Sequence, residues 1–154
     1  MPRLVSTNIF TAKMPATANR VFLDATYLIA LAMPRDQHHG DAVRIMGEMA
    51  LRRVRMTTTR AVLLEVANFL AQPKTRPLVI GALEDCERDP LLEIVPLSED
   101  LFEKGLALFR ERMDKSWGVT DCISFVVMRA GGISQALTAD EHFEQAGFVA
   151  LLNR

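Results

Sequence analysis

Short apolar segments alternate with longer segments of helical periodicity from residue 20 onward. The short segments predict five strands, at residues 20–23, 54–57, 91–95, 135–138 and 148–152. Apolar residues spaced three and four apart predict helices between these strands, among them helices at residues 26–32, 37–53 and 77–88. Regular alternation of strands and helices predicts an α/β fold, with a parallel sheet covered by helices on both faces.

Three further helices are located by residues that favour helix ends. The threonines at 57–59 offer an N-cap, and Ser98 offers another in front of two acidic residues, which the helix dipole favours. Thr120 or Asp121 is predicted to open the last of these helices, and the glycines at 131–132 are predicted to end it.

Four acidic residues lie inside or at the ends of apolar segments: Asp24, Glu65, Asp121 and Asp140. Asp24 and Asp140 follow predicted strands and Asp121 lies at a predicted helix start, so all three are expected at the carboxyl edge of the sheet. A carboxylate beside apolar residues is unfavourable without a partner. Carboxylates held close together raise one another's pKa, and a hard divalent cation reverses this effect. The pattern predicts one shared Mg²⁺ or Mn²⁺ site.

Each of these acids also has a simpler explanation. Asp24 and Asp121 could cap the helices that follow them, and Asp140 could occupy a turn. Glu65 could be a solvated residue on the edge of an amphipathic helix, although its apolar neighbours predict that it leans toward the core. We favour a common site because the four placements occur together.

Neighbouring polar residues could support such a site. Thr26 could donate a hydrogen bond to the nearby carboxylate or to a phosphate. Asn68 lies one helical turn after Glu65, and Ser124 is expected on the same side as Asp121. These hydroxyl and amide groups are therefore expected to orient the acids or bind water on the cation.

Two other residues near the acids each have two interpretations. His142 follows Asp140 and could approach the site or make only a local contact. Trp117 could stack on a base or pack the loop before Asp121.

Composition and charge indicate an ordinary globular protein. Apolar residues make up 49% of the chain, charged residues 24%, and the net charge is −1. Binding to RNA therefore requires a local basic patch, for which Arg60 and Lys115 are the candidates because they lie near acidic motifs. Cys86 and Cys122 lack metal-binding spacing and are expected to be reduced and buried.

One domain is expected over residues 20–154, preceded by a flexible arm at residues 1–19 that is rich in Thr, Ala, Pro and Asn. No segment reaches the roughly 18 apolar residues needed to span a bilayer. The arm has no sustained apolar core, so no signal peptide is expected. We expect a cytoplasmic protein without a membrane anchor.

From about residue 20 to residue 154 the chain resembles PIN-domain endoribonucleases, in particular the toxins of VapBC-type toxin–antitoxin pairs. Four segments carry the resemblance: FLDATYLIAL at 22–31, TT…LEVAN at 58–68, WGVTDCISF at 117–125 and ALTADEHFEQAGF at 136–148. Their order and spacing make the resemblance specific, whereas each segment alone is a weak signal.

The resemblance implies a three-layer sandwich with about five parallel strands, and RNA cleavage that depends on Mg²⁺ or Mn²⁺. The positions that match the four acids of the family are Asp24, Glu65, Asp121 and Asp140. Thr26 and Thr120 match hydroxyl positions beside the first and third acids, and Gly118 stands where related sequences often carry Ser. The resemblance also implies a homodimer and an antitoxin partner.

Other functions compete with a toxin nuclease. An aspartyl-nucleophile phosphatase would also place Asp24 after a buried strand, but its chemistry needs a second aspartate two residues later, where this chain has Thr26. A non-catalytic PIN scaffold could bind RNA or a partner, and a PIN nuclease need not be a toxin. The presence of all four acids favours a nuclease over a scaffold.

Overall fold

A single parallel sheet forms the centre of the computed structural model, which describes residues 20–152. The strands are β1 (Arg20–Leu23), β2 (Arg55–Thr59), β3 (Leu92–Val95), β4 (Gln135–Leu137) and β5 (Val149–Ala150). They lie in the order β3-β2-β1-β4-β5, and every pairing is parallel. The predicted five-stranded parallel sheet is confirmed, while the arm assigned to residues 1–19 lies outside the described residues.

Seven helices connect and cover the strands in the described part of the chain. They are α1 (Ala25–Ala32), α2 (His39–Arg52), α3 (Arg60–Phe69), α4 (Arg76–Arg88), α5 (Glu99–Glu111), α6 (Val119–Ala130) and α7 (Glu141–Gln145). Six of them correspond to predicted helices. The sequence pattern missed α7, because five residues are too few to display a helical period.

The helices form a layer on each face of the sheet. On one face, Leu23 and Met56 line a cleft with residues of α1, α2 and α4. On the other face, Val95 packs beside Leu101 of α5 and Ile123 of α6. Successive residues of a strand point to opposite faces, so each strand contributes to both layers of the core. The predicted three-layer sandwich is therefore confirmed.

A cluster of aromatic rings fastens α7 to α6 and to the sheet. Phe143 of α7 is fully buried, and its ring centroid lies 5.0 Å from that of Phe125 and 6.2 Å from that of Phe22. Phe148 and Trp117 extend the cluster, with centroids 5.6 and 5.0 Å from Phe125. These contacts fix the segment that carries Asp140.

Close packing of α5 against α6 depends on Gly105. A Cβ atom built at Gly105 would overlap Cγ1 of Ile123 and would lie 3.3 Å from the backbone nitrogen of that residue. The absence of a side chain at Gly105 therefore lets α5 approach the helix that carries Asp121.

Helix caps explain where several helices begin. Thr59 and Ser98 cap α3 and α5 as predicted, and each side chain accepts a hydrogen bond of 3.1 Å from the backbone N–H three residues later. The prediction that Thr120 or Asp121 opens α6 was wrong, because Gly118 is the N-cap. The carboxylate of Asp121 accepts a hydrogen bond from the Gly118 N–H at 2.9 Å, so it caps the helix from its third position.

Within residues 20–152, no helix combines the length and apolar character needed to cross a bilayer. Both cysteines are free thiols, as predicted. Cys122 is buried, whereas Cys86 is only half-buried at the cleft beside α4.

Candidate active site

The order of the strands places a crevice between β1 and β4. From β1 the sheet continues through β2 to β3 on one side, and from β4 it continues to β5 on the other. Asp24 directly follows β1, and its N–H donates a hydrogen bond of 3.1 Å to the carbonyl oxygen of Leu137, the last residue of β4. Ligands of open α/β sheets bind at the carboxyl edge where the strand order reverses, and Asp24 lies at that position.

Asp24 is buried, with 3% of its surface exposed, and two hydroxyl groups hold its carboxylate. Its Oδ2 accepts hydrogen bonds from Thr138 Oγ1 at 2.7 Å and from Thr26 Oγ1 at 3.0 Å. Although Asp24 occupies the N-cap position of α1, its side chain makes no capping hydrogen bond. Asp24 therefore stands at the cap position, but its carboxylate is held by the two threonines and does not act as a side-chain cap.

The same two threonines connect Asp24 to the segment that follows β4. Thr26 Oγ1 accepts a hydrogen bond from the Ala139 N–H at 3.0 Å, and Thr138 Oγ1 accepts one from the Asp140 N–H at 2.9 Å. Thr138 was not among the predicted site residues, although it is a polar residue at a strand end two positions before Asp140. The two hydroxyls thus fix Asp24 and Asp140 relative to each other.

Asp121 and Asp140 meet beside the imidazole of His142. Nδ1 of His142 lies 3.1 Å from Asp121 Oδ2 and 3.3 Å from Asp140 Oδ1. Asp140 is also the N-cap of α7, since its Oδ1 accepts the His142 N–H at 2.9 Å. The simpler explanation was partly right for Asp121, which caps a helix and also belongs to the cluster. Asp140, predicted as a possible turn residue, is instead a helix cap. His142 makes more than a local contact, because it reaches Asp121 on another helix.

Glu65 approaches the acidic cluster from α3, but it does not lean toward the core as predicted. The buried positions of α3 are Ala61, Val62, Leu63 and Val66, and Glu65 lies exposed on their flank. The residue lines a groove together with Asn68 and Thr120. Loss of solvation and the negative charges of Asp24, Asp121 and Asp140 raise its pKa to about 7. The negative charges of all three other acids therefore contribute to the raised pKa of Glu65.

The pKa values of the other acids show the same crowding of negative charge. Burial raises the pKa of Asp24 to about 6, against the lowering effect of hydrogen bonds from Thr138, the Ala25 backbone and Thr26, and the charge of Asp121 raises it further. Burial also raises the pKa of Asp121, and the charge of Asp140 adds to the effect.

Such a cluster fits a hard divalent cation. Its donors are carboxylate oxygens, the ligands that Mg²⁺ and Mn²⁺ prefer. A cation bound there would stabilise the ionised forms that burial and mutual repulsion disfavour. Hydrogen bonds connect Asp24 to the segment of Asp140, and the His142 ring joins Asp140 to Asp121. We treat a role of the four predicted acids in metal binding as a proposal below.

Some predicted supporting residues do not reach the acids. The hydroxyl of Ser124 donates a hydrogen bond of 2.9 Å to the carbonyl oxygen of Thr120, within α6, and not to a carboxylate. A buried serine on a helix often bonds to the carbonyl one turn earlier, and that geometry directs its hydroxyl along the helix.

Of the basic and aromatic candidates, Arg60 and Trp117 have structural partners of their own. Arg60 is exposed and pairs with Glu87 of α4. Lys115 is half-buried in the loop between α5 and α6. Trp117 has only 3% of its surface exposed, and its Nε1 donates to Gln145 Oε1 at 3.0 Å. In this conformation Trp117 packs the loop before α6 and presents no free face to a base.

The sequence pattern of the PIN domain matches residues 21–149. The chain belongs to the PIN-domain family. This agrees with the resemblance carried by the four sequence segments, and it gives no support to the phosphatase alternative.

Among curated proteins, the PIN-domain chain is similar to the 23S rRNA-specific endonuclease VapC20 of Mycobacterium tuberculosis, from strains CDC 1551 / Oshkosh and ATCC 25618 / H37Rv. The identity is 26% over 129 residues, which cover 84% of this chain and 95% of VapC20. The crystal structure of VapC20, described as a sarcin-ricin loop cleaving toxin, matches with a TM-score of 0.75 over 85% of this chain and 98% of that chain.

Two more distant structures share the fold of this PIN domain. VapBC2 from Rickettsia felis, bound to a DNA fragment from its promoter, matches with a TM-score of 0.63 at 14% identity and covers 86% of this chain and 97% of that one. FitAcB from Neisseria gonorrhoeae matches with a TM-score of 0.57 at 15% identity. The match covers 84% of this chain and 94% of that one. At these identities the similarity concerns the fold alone.

Proposed function

We propose that this PIN-domain protein is a metal-dependent endoribonuclease and the toxin of a toxin–antitoxin module. One observation carries the proposal: two threonine hydroxyls tie a buried carboxylate, Asp24, to the segment of Asp140, whose Oδ1 shares the His142 ring with Asp121. A non-catalytic scaffold has no need for four acids whose charges oppose one another.

The four acids would hold the cation, with Asp24, Asp121 and Asp140 at the sheet edge and Glu65 on the side of the groove. A bound Mg²⁺ or Mn²⁺ supplies an activated water and stabilises negative charge on the phosphodiester during its hydrolysis. The protein's own contribution is orientation, because Thr26 and Thr138 hold Asp24 while backbone N–H groups hold Asp121 and Asp140. Orienting groups in advance lowers the reorganisation needed during reaction.

The substrate that we propose is ribosomal RNA of the large subunit. This rests on the similarity to VapC20, which is named for 23S rRNA and is covered over 95% of its length. Such a substrate places the reaction in the cytoplasm. Sequencing the 5′ ends of RNA cleaved by the purified protein tests the substrate, and scattered ends without a dominant ribosomal position would contradict it.

Removal of the metal is the direct test of the proposed chemistry. We expect purified protein to cleave ribosomal RNA with millimolar Mg²⁺ or Mn²⁺, to lose cleavage in EDTA, and to regain it when the cation is restored. The same cations should raise the melting temperature, because a ligand that binds only the native state stabilises by about 2.7 kcal/mol at 100 times its Kd. Cleavage that persists in EDTA at an unchanged rate would exclude a metal-dependent nuclease.

We also propose that the protein forms a homodimer through the apolar face that flanks Glu65. Large apolar side chains are exposed there, with Leu64, Phe69 and Phe102 exposed by 57%, 67% and 41%. A two-fold contact between identical copies would cover this patch on both subunits. We expect Phe69→Glu to give a monomer in light scattering, whereas Leu51→Glu, on α2 and 88% exposed, should leave the dimer intact. A wild-type protein that is monomeric at micromolar concentration would contradict this interface.

For the antitoxin we propose the apolar cleft on the other face of the sheet. Residues of α1, α2 and α4 enclose a volume of about 430 Å³ there, and Asp85 and Asp89 lie at the cleft beside Leu28 and Leu78. An antitoxin segment with apolar and basic side chains would complement this lining. Co-expression with the product of the neighbouring reading frame tests the pairing, and we expect a stable complex that does not cleave RNA.

A further inference from the structure

Among residues 20–152, His142 is the one non-carboxylate side chain that lies between two of the proposed metal ligands. Its Nδ1 lies within 3.3 Å of an oxygen from each of Asp121 and Asp140. Together the three groups could present one ligand atom each, all within 4.8 Å of one another. The other two histidines of the chain, His38 and His39, lie at the start of α2.

The spacing of these three atoms suits binding to a common cation. Ligand atoms at about 2.1 Å from a metal and at right angles to each other lie about 3 Å apart. The separations of 3.1 and 3.3 Å from Nδ1 of His142 to the oxygens of Asp121 and Asp140 are close to that value.

The imidazole is not needed to satisfy either carboxylate oxygen by hydrogen bonding. Asp121 Oδ2 already accepts the Gly118 N–H at 2.9 Å, and Asp140 Oδ1 already accepts the backbone N–H of His142 at 2.9 Å. Both backbone contacts exist whatever side chain stands at position 142. The ring is therefore not required to cap or orient either acid, and its Nδ1 lies at hydrogen-bond distance from both oxygens.

We propose that Nδ1 of His142 is an additional protein ligand to the cation, beside the oxygens of Asp121 and Asp140, and that it shifts the preference of the site from Mg²⁺ toward Mn²⁺. The inference rests on the metal site of the proposed function. Mg²⁺ is the harder ion and favours oxygen ligands, whereas first-row transition cations also accept imidazole nitrogen. A site with one nitrogen among its oxygens discriminates between the two ions more than a site of oxygens alone.

The anchoring of α7 makes this arrangement a rigid one. Phe143, the next residue, is fully buried against Phe22 and Phe125. Asp140 caps the same helix, so the ligand atoms from Asp140 and His142 are carried by one short element. Preorganised ligands lose less freedom on binding the cation.

Pulsed electron paramagnetic resonance of the Mn²⁺-loaded full-length protein tests the ligand directly. Mn²⁺ bound to an imidazole nitrogen produces an echo modulation from ¹⁴N, which we expect in the wild type and in His38→Asn but not in His142→Asn. The His38→Asn control removes a histidine outside the site. Bound Mn²⁺ without the ¹⁴N modulation in the wild type would overturn the inference.

Calorimetric titration with Mn²⁺ and with Mg²⁺ tests the preference. We expect His142→Asn to weaken Mn²⁺ binding by about 10- to 100-fold, since even an outer-shell partner is worth that much, and to weaken Mg²⁺ binding less. Equal losses for both ions, or no loss, would contradict the inference while the proposed nuclease function stands. Failure of either ion to bind the wild type would instead overturn the metal site itself.

Discussion

The Asp24→Asn protein is expected to lose RNA cleavage by about 10³-fold or more, because a metal site contributes several kcal/mol of charge stabilisation in the transition state. Asparagine keeps the size of the side chain while removing the charge at the crevice between β1 and β4. Cleavage is measured on ribosomal RNA at saturating Mg²⁺, and circular dichroism shows whether the protein stays folded. Asp41→Asn, an exposed residue of α2, is the matched control and should retain full activity.

The same substitution is expected to stabilise the metal-free protein at pH 8 by about 1–3 kcal/mol. The pKa of Asp24 is about 6 in the folded state and 3.8 in its ordinary environment, so the folded state binds the proton more tightly. The stabilising effect of the protonated group is complete below about pH 4 and is lost as the pH rises through about 6. The difference in free energy of unfolding between Asp24→Asn and the wild type should therefore increase between pH 4 and pH 7.

Denaturant unfolding in EDTA at several pH values measures this difference. A variant that cleaves RNA like the wild type would contradict the role of Asp24 in the reaction. The variant could also be inactive while its gain in stability over the wild type is no larger at pH 8 than at pH 4. That outcome would show that other groups compensate for the buried charge of Asp24 without a cation.

The Phe143→Ala protein is expected to lose about 3–5 kcal/mol of stability, the usual effect of removing a buried aromatic ring. The total free energy of unfolding of a protein is typically about 5–15 kcal/mol. The expected loss is therefore a large part of the total. The loss should also remove the stabilisation by divalent cations, because Phe143 anchors the helix that Asp140 caps and that carries His142. Thermal unfolding with and without Mn²⁺ measures both effects.

The Phe143→Leu variant tests whether Phe143→Ala loses its response to Mn²⁺ only because it unfolds. Leucine fills part of the cavity, so this variant should fold while its response to Mn²⁺ is weakened. Phe109→Ala, at an aromatic residue of α5 that is 42% exposed, should change stability far less. If Phe143→Ala were no less stable than Phe109→Ala, the aromatic cluster would not be the anchor of α7.

The sheet and its order of layers could be predicted because each strand is a short apolar or β-prone segment, and a segment of helical period separates it from the next. The positions of Asp24 and Asp140 could be predicted for the same reason, since the end of a parallel strand has only one location in such a sheet. These features depend on local pattern and on topology, and both can be read along the chain.

The features that were missed or left open depend on contacts between distant segments. Thr138 joins the site only because β4 lies beside β1, and His142 joins it only because a five-residue helix turns its ring toward Asp121. The predicted orientation of Glu65 was wrong because Phe69, an apolar residue one helical turn after it, is exposed and does not belong to the core. Gly118 was not recognised as a cap because the capping group is the side chain of Asp121, three residues later.

The hydrogen bond from Thr138 to Asp24 joins residues 114 positions apart. Contacts of such long range close a large loop, and the entropy of that closure must be overcome before the contact stabilises the chain. A folding intermediate that contains β1, β2 and β3 but not β4 would hold Asp24 without its hydroxyl partner Thr138 and without Asp140. If the proposed site is correct, a chain in which β4 has not yet paired with β1 would lack the assembled acids and would not cleave RNA.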